Sequence, residues 1–256
     1  MKHFLSISDI DNDQVARLID IALELKSGPD LNSLAGKSIA LLFDKPSLRT
    51  RMSFEIGIQQ LGGHSIYLGR EEIGMGVREP VEDVARVVSR YADAMVVRTF
   101  AQEIVETLAR YSSIPVINAL TDAEHPCQAL ADILTVYEKK GTFKGIGITY
   151  IGDGNNVAAS LAIAAVSVGA NISVASPPGY ELSQNVIDEC RLRSVQSGGT
   201  IYLTSDPEEA SKDADVIYTD VWVSMGQESE SNLRRKIFEP YRIDDHILSL
   251  AADSVV

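Results

Sequence analysis

The sequence predicts an α/β protein of two domains, each a parallel sheet flanked by helices, joined by a long interdomain helix. Three observations carry this. Short apolar runs alternate with segments of helical periodicity along the chain, and such alternation builds parallel sheets with right-handed crossovers. The alternation restarts after a polar, glycine-bearing stretch, Lys139 to Gly145, which sets domains at 1–140 and 141–256. The 256 residues, 45% hydrophobic and 23% charged, are ample for one large or two small cores.

The elements follow in order. Ile10 to Lys26 reads as a helix, with Val15, Leu18, Ile19, Ala22 and Leu25 at helical spacing and Ser8 or Asp9 as cap. Ile39 to Phe43 is a buried strand. A tight turn, Asp44-Lys45-Pro46, leads to a helix start at Ser47, a residue whose hydroxyl suits an N-cap. Gly62-Gly63 ends that helix, and His64 to Leu68 is the second strand. Gly69 to Pro80, rich in glycine and charge, reads as a loop. Val81 to Tyr91 and Ala101 to Ser112 are helices around a third strand, Ala94 to Val97. Pro115 to Ala119 is the fourth strand, and a long helix runs from the Asp122 to Gln128 segment to about Lys140.

In the second block the strands are Gly147 to Ile151, Ile172 to Ala175, Thr200 to Thr204 and Val216 to Thr219. The helices are Val157 to Gly169, Ser183 to Gln196, Pro207 to Lys212 and Asp244 to Ala252. Val221 to Asn232 reads as a loop.

Composition excludes several classes. A net charge of −13 argues against a general nucleic-acid binder. No apolar run is long enough to span a bilayer. Met1 to Asp20 has no signal-peptide pattern, and Cys127 and Cys190 form no metal or redox spacing, so a cytoplasmic setting is expected. Cys127 reads as a small buried residue, and His3, His64 and His246 show no metal-ligand pattern.

In an open parallel sheet, ligands bind beyond the carboxyl ends of the strands. In the first block those ends carry Ser47, Arg49, Thr50 and Arg51, then Arg98-Thr99, then His125 and Gln128. A helix N-terminus with two hydroxyls and two guanidiniums suits a multiply charged anion, above all a phosphate. Taken singly, Arg98 reads more simply as a surface ion pair and His125 as a loop residue before Pro126; taken together they argue for a site. In the second block, Gly152-Asp153-Gly154 after a strand is a fragment of a dinucleotide fingerprint. The third glycine is not met, and the next strand ends at Ala175-Ser176 with no acid for a ribose. The other use of this turn is to present Asn156 into an interdomain cleft. Asp220 and Ser224 suit an ammonium group, although composition alone favours an Asx-type turn. The residues therefore point to a phosphate-type site opposite a cation-type site, with no metal cluster, covalent nucleophile or organic cofactor evident.

Ser47-Leu48-Arg49-Thr50-Arg51, Arg98-Thr99, His125-Pro126-Cys127-Gln128 and Asp220-Val221-Trp222-Val223-Ser224-Met225-Gly226-Gln227 resemble the aspartate/ornithine carbamoyltransferase family, the last stretch its ornithine branch. The resemblance implies transfer of a carbamoyl group from carbamoyl phosphate to the δ-amine of L-ornithine, giving citrulline and phosphate in arginine metabolism, without a cofactor. It implies that Ser47, Leu48, Arg49 and Thr50 bind carbamoyl phosphate, and that Arg98, His125 and Gln128 contact its carbonyl and amide end. It gives Asn156, Asp220, Ser224 and Met225 the amino-acid part of ornithine. Arg49, Arg98 and His125 would be the catalytic residues, in a homotrimer or multiple of trimers.

Leu48 stands where the family commonly has Thr, and only a side-chain hydroxyl is lost. Gly74 and Val77 stand where the family places a Gln or Lys that reaches a neighbouring subunit's site; Arg78 is the candidate substitute. The family pattern continues with a His-Cys-Leu-Pro strand and a helix, which the resemblance places beyond Val256. The expectation is a second domain incomplete at its C-terminus, with an unfilled sheet edge. Two other readings use the same residues: a carbamoyl-phosphate-binding protein without turnover, and a carbamoyltransferase for another amine.

Overall fold

The computed structural model describes residues 3–28, 32–223 and 228–256. The chain divides into two compact units: Met1–Ile10 with Asp20–Gln128, and Asp11–Ile19 with Ala129–Val256. Two helices, α1 (Asn12–Ser27) and α6 (Pro126–Lys140), pass from one unit into the other.

The first unit holds β1 (Ser38–Phe43), α2 (Leu48–Gln60), β2 (His64–Gly69), α3 (Arg70–Ile73), α4 (Val81–Val88), β3 (Ala94–Arg98), α5 (Gln102–Tyr111) and β4 (Val116–Leu120). Its strands are all parallel, in the order β2-β1-β3-β4. β1 is covered on both faces: Ile39, Leu41 and Phe43 enter one core cluster, Ala40 and Leu42 the other. That is why the strand reads as a continuous apolar run. Phe4 bridges Ile117, so the N-terminal segment lies along the outer edge of β4.

The second unit holds β5 (Gly147–Ile151), α7 (Asn156–Ser167), β6 (Asn171–Ala175), α8 (Gln184–Ser197), β7 (Thr200–Thr204), α9 (Pro207–Ser211), β8 (Val216–Tyr218), α10 (Ser231–Phe238) and α11 (Asp245–Leu250). These strands are also parallel, in the order β7-β6-β5-β8. Every residue from Val157 to Ser167 is buried, so α7 has no polar face. The outer edge of β8 is not bare: Ile217 N–H donates to Val256 O at 3.0 Å, and Val256 N–H to Asp215 O at 3.1 Å.

All eight predicted strands are present to within one residue at each end. The differences lie elsewhere. The cap of α1 is neither Ser8 nor Asp9: Asp11 accepts from Gln14 N–H while Gln14 accepts from Asp11 N–H, a reciprocal pair at the helix start. Asp9 instead closes a capping box with Ser6 around the 3-10 turn Ile7–Asp9. The 69–80 loop contains α3, and the stretch read as loop before Asn232 gives way to α10.

Candidate functional site

Each sheet reverses its strand order once, between β1 and β3 in the first and between β5 and β8 in the second. The carboxyl ends beside such a reversal splay apart, and ligands bind there. Arg49, Thr50 and Arg98 lie at the first of these points, and Asn156 and Asp220 follow β5 and β8 at the second.

In the first unit, Ser47 caps α2: its Oγ accepts from Thr50 N–H at 3.3 Å and donates to Thr50 Oγ1 at 2.9 Å. Arg98 ends β3, where the register against β4 shifts between Val97 and Arg98; such an irregularity re-aims the side chain beyond it. Its carbonyl accepts from Asp44 N–H and Lys45 N–H, and its Nη1 donates to Thr50 Oγ1 at 3.4 Å. Arg98 is 7% exposed, and its Nε has no hydrogen-bond partner. Burial and the neighbouring Arg49 guanidinium both hold its pKa below the ordinary arginine value. Arg49 itself is exposed. Among the described residues no carboxylate is paired with either arginine.

The His125 imidazole is lowered from 6.5 to about 4, first by burial and then by Arg98. It is therefore neutral at pH 7. Gln128 lies in the first turn of α6, its N–H donating to His125 O at 3.1 Å. Leu48, at the first position of α2, is 73% exposed.

Arg51, expected in this cluster, and the nearby Lys45 are used otherwise. Arg51 pairs with Glu55 at 3.0 Å and stacks 3.7 Å above the Tyr67 ring. Lys45 is buried, bonded to Asp122 and 4.5 Å from the Phe100 ring centre. Arg78 folds back on its own loop, donating to Glu72 O at 2.6 Å beside Gly74, which is left-handed; Val77 is fully outward. Cys127 donates to Asn118 O, and burial pushes its thiol up to about 12, so it stays a thiol.

In the second unit the glycine turn is filled by the chain itself. A Cβ on Gly154 would lie 2.4 Å from the Glu181 backbone, and Gly154 N–H donates to Tyr180 O at 2.8 Å. The close approach that a dinucleotide phosphate would use is thus taken by the Tyr180–Leu182 backbone. Asn155, one residue before the predicted Asn156, caps α7 through Val157 N–H and Ala158 N–H. Its Nδ2 donates to Asp220 Oδ2 at 3.4 Å. Asn156 is the first residue of α7. Ser224 and Met225 lie outside the described residues.

Sequence reasoning missed Arg234. It is 3% exposed, pairs with Asp153, donates from Nε to Trp222 O at 2.6 Å, and sits 4.9 Å from the Tyr180 ring and 5.2 Å from that of Phe238. Burial still holds the Asp153 carboxyl above its ordinary value despite this partner, with Asp220 adding to the rise. The arginine was hidden in a charged run, Arg234-Arg235-Lys236, that looks like a solvated face.

Both units are parallel α/β, the first with Arg49 and Arg98 at its reversal point and the second with Asp220 at its own. Comparison with known proteins gives the family. The family model described as "Aspartate/ornithine carbamoyltransferase, carbamoyl-P binding domain" matches residues 2–138, and "Aspartate/ornithine carbamoyltransferase, Asp/Orn binding domain" matches residues 144–256. The chain is 49% identical over 254 residues to an ornithine carbamoyltransferase of Anoxybacillus flavithermus, covering 98% of this chain and 81% of the relative. Among solved structures it is similar to the ornithine carbamoyltransferase of Pyrococcus furiosus, with TM-score 0.93, 45% identity, and coverage of 98% and 82%. It is also similar to the anabolic ornithine carbamoyltransferase of Campylobacter jejuni, with TM-score 0.94, 38% identity, and coverage of 99% and 84%. The chain belongs to the aspartate/ornithine carbamoyltransferase family.

Proposed function

We propose that this chain transfers the carbamoyl group of carbamoyl phosphate to the δ-amine of L-ornithine, giving L-citrulline and phosphate. The observation that carries the reading is the pair Arg49 and Arg98, two guanidiniums that interact with each other and, among the described residues, have no carboxylate paired to them. An arriving phosphate relieves that repulsion. The ornithine carbamoyltransferase relatives specify the group transferred and its acceptor.

The assignments follow from the chemistry of each group. Ser47, the Leu48 N–H, Arg49 and Thr50 hold the phosphate at the N-terminus of α2, where backbone N–H groups and the helix dipole favour an anion. Arg98, neutral His125 and Gln128 take the carbamoyl end. As the amine attacks, charge grows on the carbonyl oxygen and on the leaving phosphate. Donors already held in place stabilise that charge without reorganising. A neutral imidazole donates one hydrogen bond there without adding a third positive charge to the two arginines. Asn156, Asp220, Ser224 and Met225 hold the amino-acid end of ornithine, where the Asp220 carboxylate suits the α-ammonium group. Residues 1–140 are the carbamoyl-phosphate-binding domain and 141–256 the ornithine-binding domain. We place it in arginine biosynthesis in the cytoplasm, as a homotrimer or a multiple of trimers. No described helix is long and apolar enough to cross a membrane.

The test is a citrulline assay on this chain with carbamoyl phosphate and ornithine, run beside a binding titration with a phosphonate analogue of carbamoyl phosphate. Citrulline formation that requires ornithine, and is not replaced by aspartate, supports the reading. Analogue binding without citrulline formation would leave a binding protein in its place.

A further inference from the structure

His125 stands on a short loop after β4, and the way that loop is fastened is specific to its neighbours. Glu124, the residue before it, reaches back to the N-terminal segment. Its Oε1 accepts from the Ser6 hydroxyl, and its Oε2 accepts from Ile7 N–H at 3.2 Å. Its backbone is tied to Thr121: Thr121 N–H donates to Glu124 O at 2.8 Å, and Glu124 N–H donates to Thr121 Oγ1 at 3.2 Å. Thr121 is fully buried and donates in turn to Gln102 Oε1 at 2.6 Å. The amides of Gln102 and Asn118 both donate to Leu5 O, at 3.3 and 2.8 Å. The N-terminal segment is itself pinned along β4, with Phe4 N–H donating to Val116 O and Asn118 N–H to Phe4 O, each at 2.8 Å. Two segments far apart in sequence thus meet one residue from His125. All of these contacts lie within the first unit.

We propose that Glu124 is a positioning residue for His125, clamping the loop after β4 to the N-terminal segment so that the imidazole is presented at the end of the strand. This rests on the reading that His125 contacts carbamoyl phosphate. A carboxylate suits the task because its two oxygens accept two bonds from two successive residues. It acts through geometry, since burial and Arg98 set the state of the imidazole and Glu124 does not. A catalytic group misplaced by about 1 Å can cost on the order of a hundredfold in rate.

The experiment uses the full chain with Glu124→Ala, Glu124→Gln, Ser6→Ala and His125→Asn. Steady-state kinetics in carbamoyl phosphate are measured for each, and the His125 imidazole titration is followed by NMR, assigned with His125→Asn. The expectation for Glu124→Ala is a kcat/KM for carbamoyl phosphate lower by about tenfold to a hundredfold, and a His125 titration that moves up from its depressed value as the loop loosens. Glu124→Gln recovers most of both, because its amide oxygen still accepts from Ile7 N–H and its amide group donates to Ser6. Ser6→Ala, which removes the bond to Glu124 together with the cap on Ser8 N–H but keeps the bond from Ile7 N–H, falls between and serves if Glu124→Ala does not fold. A purely structural role would lower the melting temperature and leave carbamoyl phosphate kinetics and the titration unmoved; that result in a folded variant overturns the proposal. If His125→Asn is itself fully active, the reading of the site fails, and the titration still decides whether Glu124 positions the imidazole.

Discussion

The two reversal points are built alike and charged oppositely. In the first unit, Arg49 and Arg98 stand beside a helix N-terminus with no carboxylate paired to either among the described residues. In the second, the cation Arg234 is consumed by Asp153 and the Trp222 carbonyl. The other acid there, Asp220, accepts a hydrogen bond from the neutral Asn155 amide. Topology puts polar side chains at both places. Which charges are already spent decides whether the place suits an anion or a cation.

Removing the consumed cation breaks the comparison most severely. Arg234→Ala leaves Asp153 buried and unpaired, and its expected cost is about 3–5 kcal/mol in urea unfolding. The sign of its pH dependence is set by the raised Asp153 carboxyl: without Arg234 its folded pKa rises further above the unfolded value of 3.8. The folded variant then binds a proton that the unfolded chain has released. Its deficit therefore shrinks as pH falls toward 4 and grows above. A deficit independent of pH would refute this account of the pair. Arg49→Ala is the mirror test. The side chain is exposed, so the melting temperature should stay within a degree or two of the parent, by an order-of-magnitude expectation for surface substitutions. Citrulline formation should fall on the order of a hundredfold or more. Near-normal turnover by the folded variant would sink the anion-site reading.

A smaller effect concerns His125. The unfolded imidazole protonates at about 6.5 and the folded one at about 4, so the unfolded state binds more protons between those values. Stability is lost as pH falls below 6.5. The part due to this half-buried ring, between pH 7 and 5, is on the order of 1 kcal/mol after allowance for solvent screening. His125→Asn should remove that part of the acid sensitivity, measured as the difference between urea midpoints at the two pH values. Smallest is Asn155→Ala, which deletes the α7 cap for about 0.5–1 kcal/mol. If Asn155 also orients Asp220, that variant raises the KM for ornithine while leaving that for carbamoyl phosphate unchanged.

The strands were legible because a strand buried on both faces leaves an unbroken apolar run, as Ile39 to Phe43 does. The Ser47 cap was legible because its signal is local. Strand order was not, since nothing in a run such as Thr200 to Thr204 says which neighbour it will pair with. The uses of charge were the least legible. Arg51 looked like a ligand residue and is held by Glu55 and Tyr67, while Arg234 looked solvated and is more buried than any other described charged residue of its unit. A guanidinium carries the same letter in both settings, and only its packing partners distinguish them. The glycines were ambiguous for a related reason: Gly154 permits a close approach, and the sequence does not say that the visitor is the Glu181–Leu182 backbone.

The α7 helix, buried on every side, has a kinetic consequence. Its amide hydrogens can meet solvent only when the layers on both sides of it separate, which is the opening of the whole second unit. Deuterium uptake along Val157 to Ser167 is therefore an internal clock for that unit alone. Read beside the slowest amides of β1, it would report whether the two halves of the chain come apart together or one before the other.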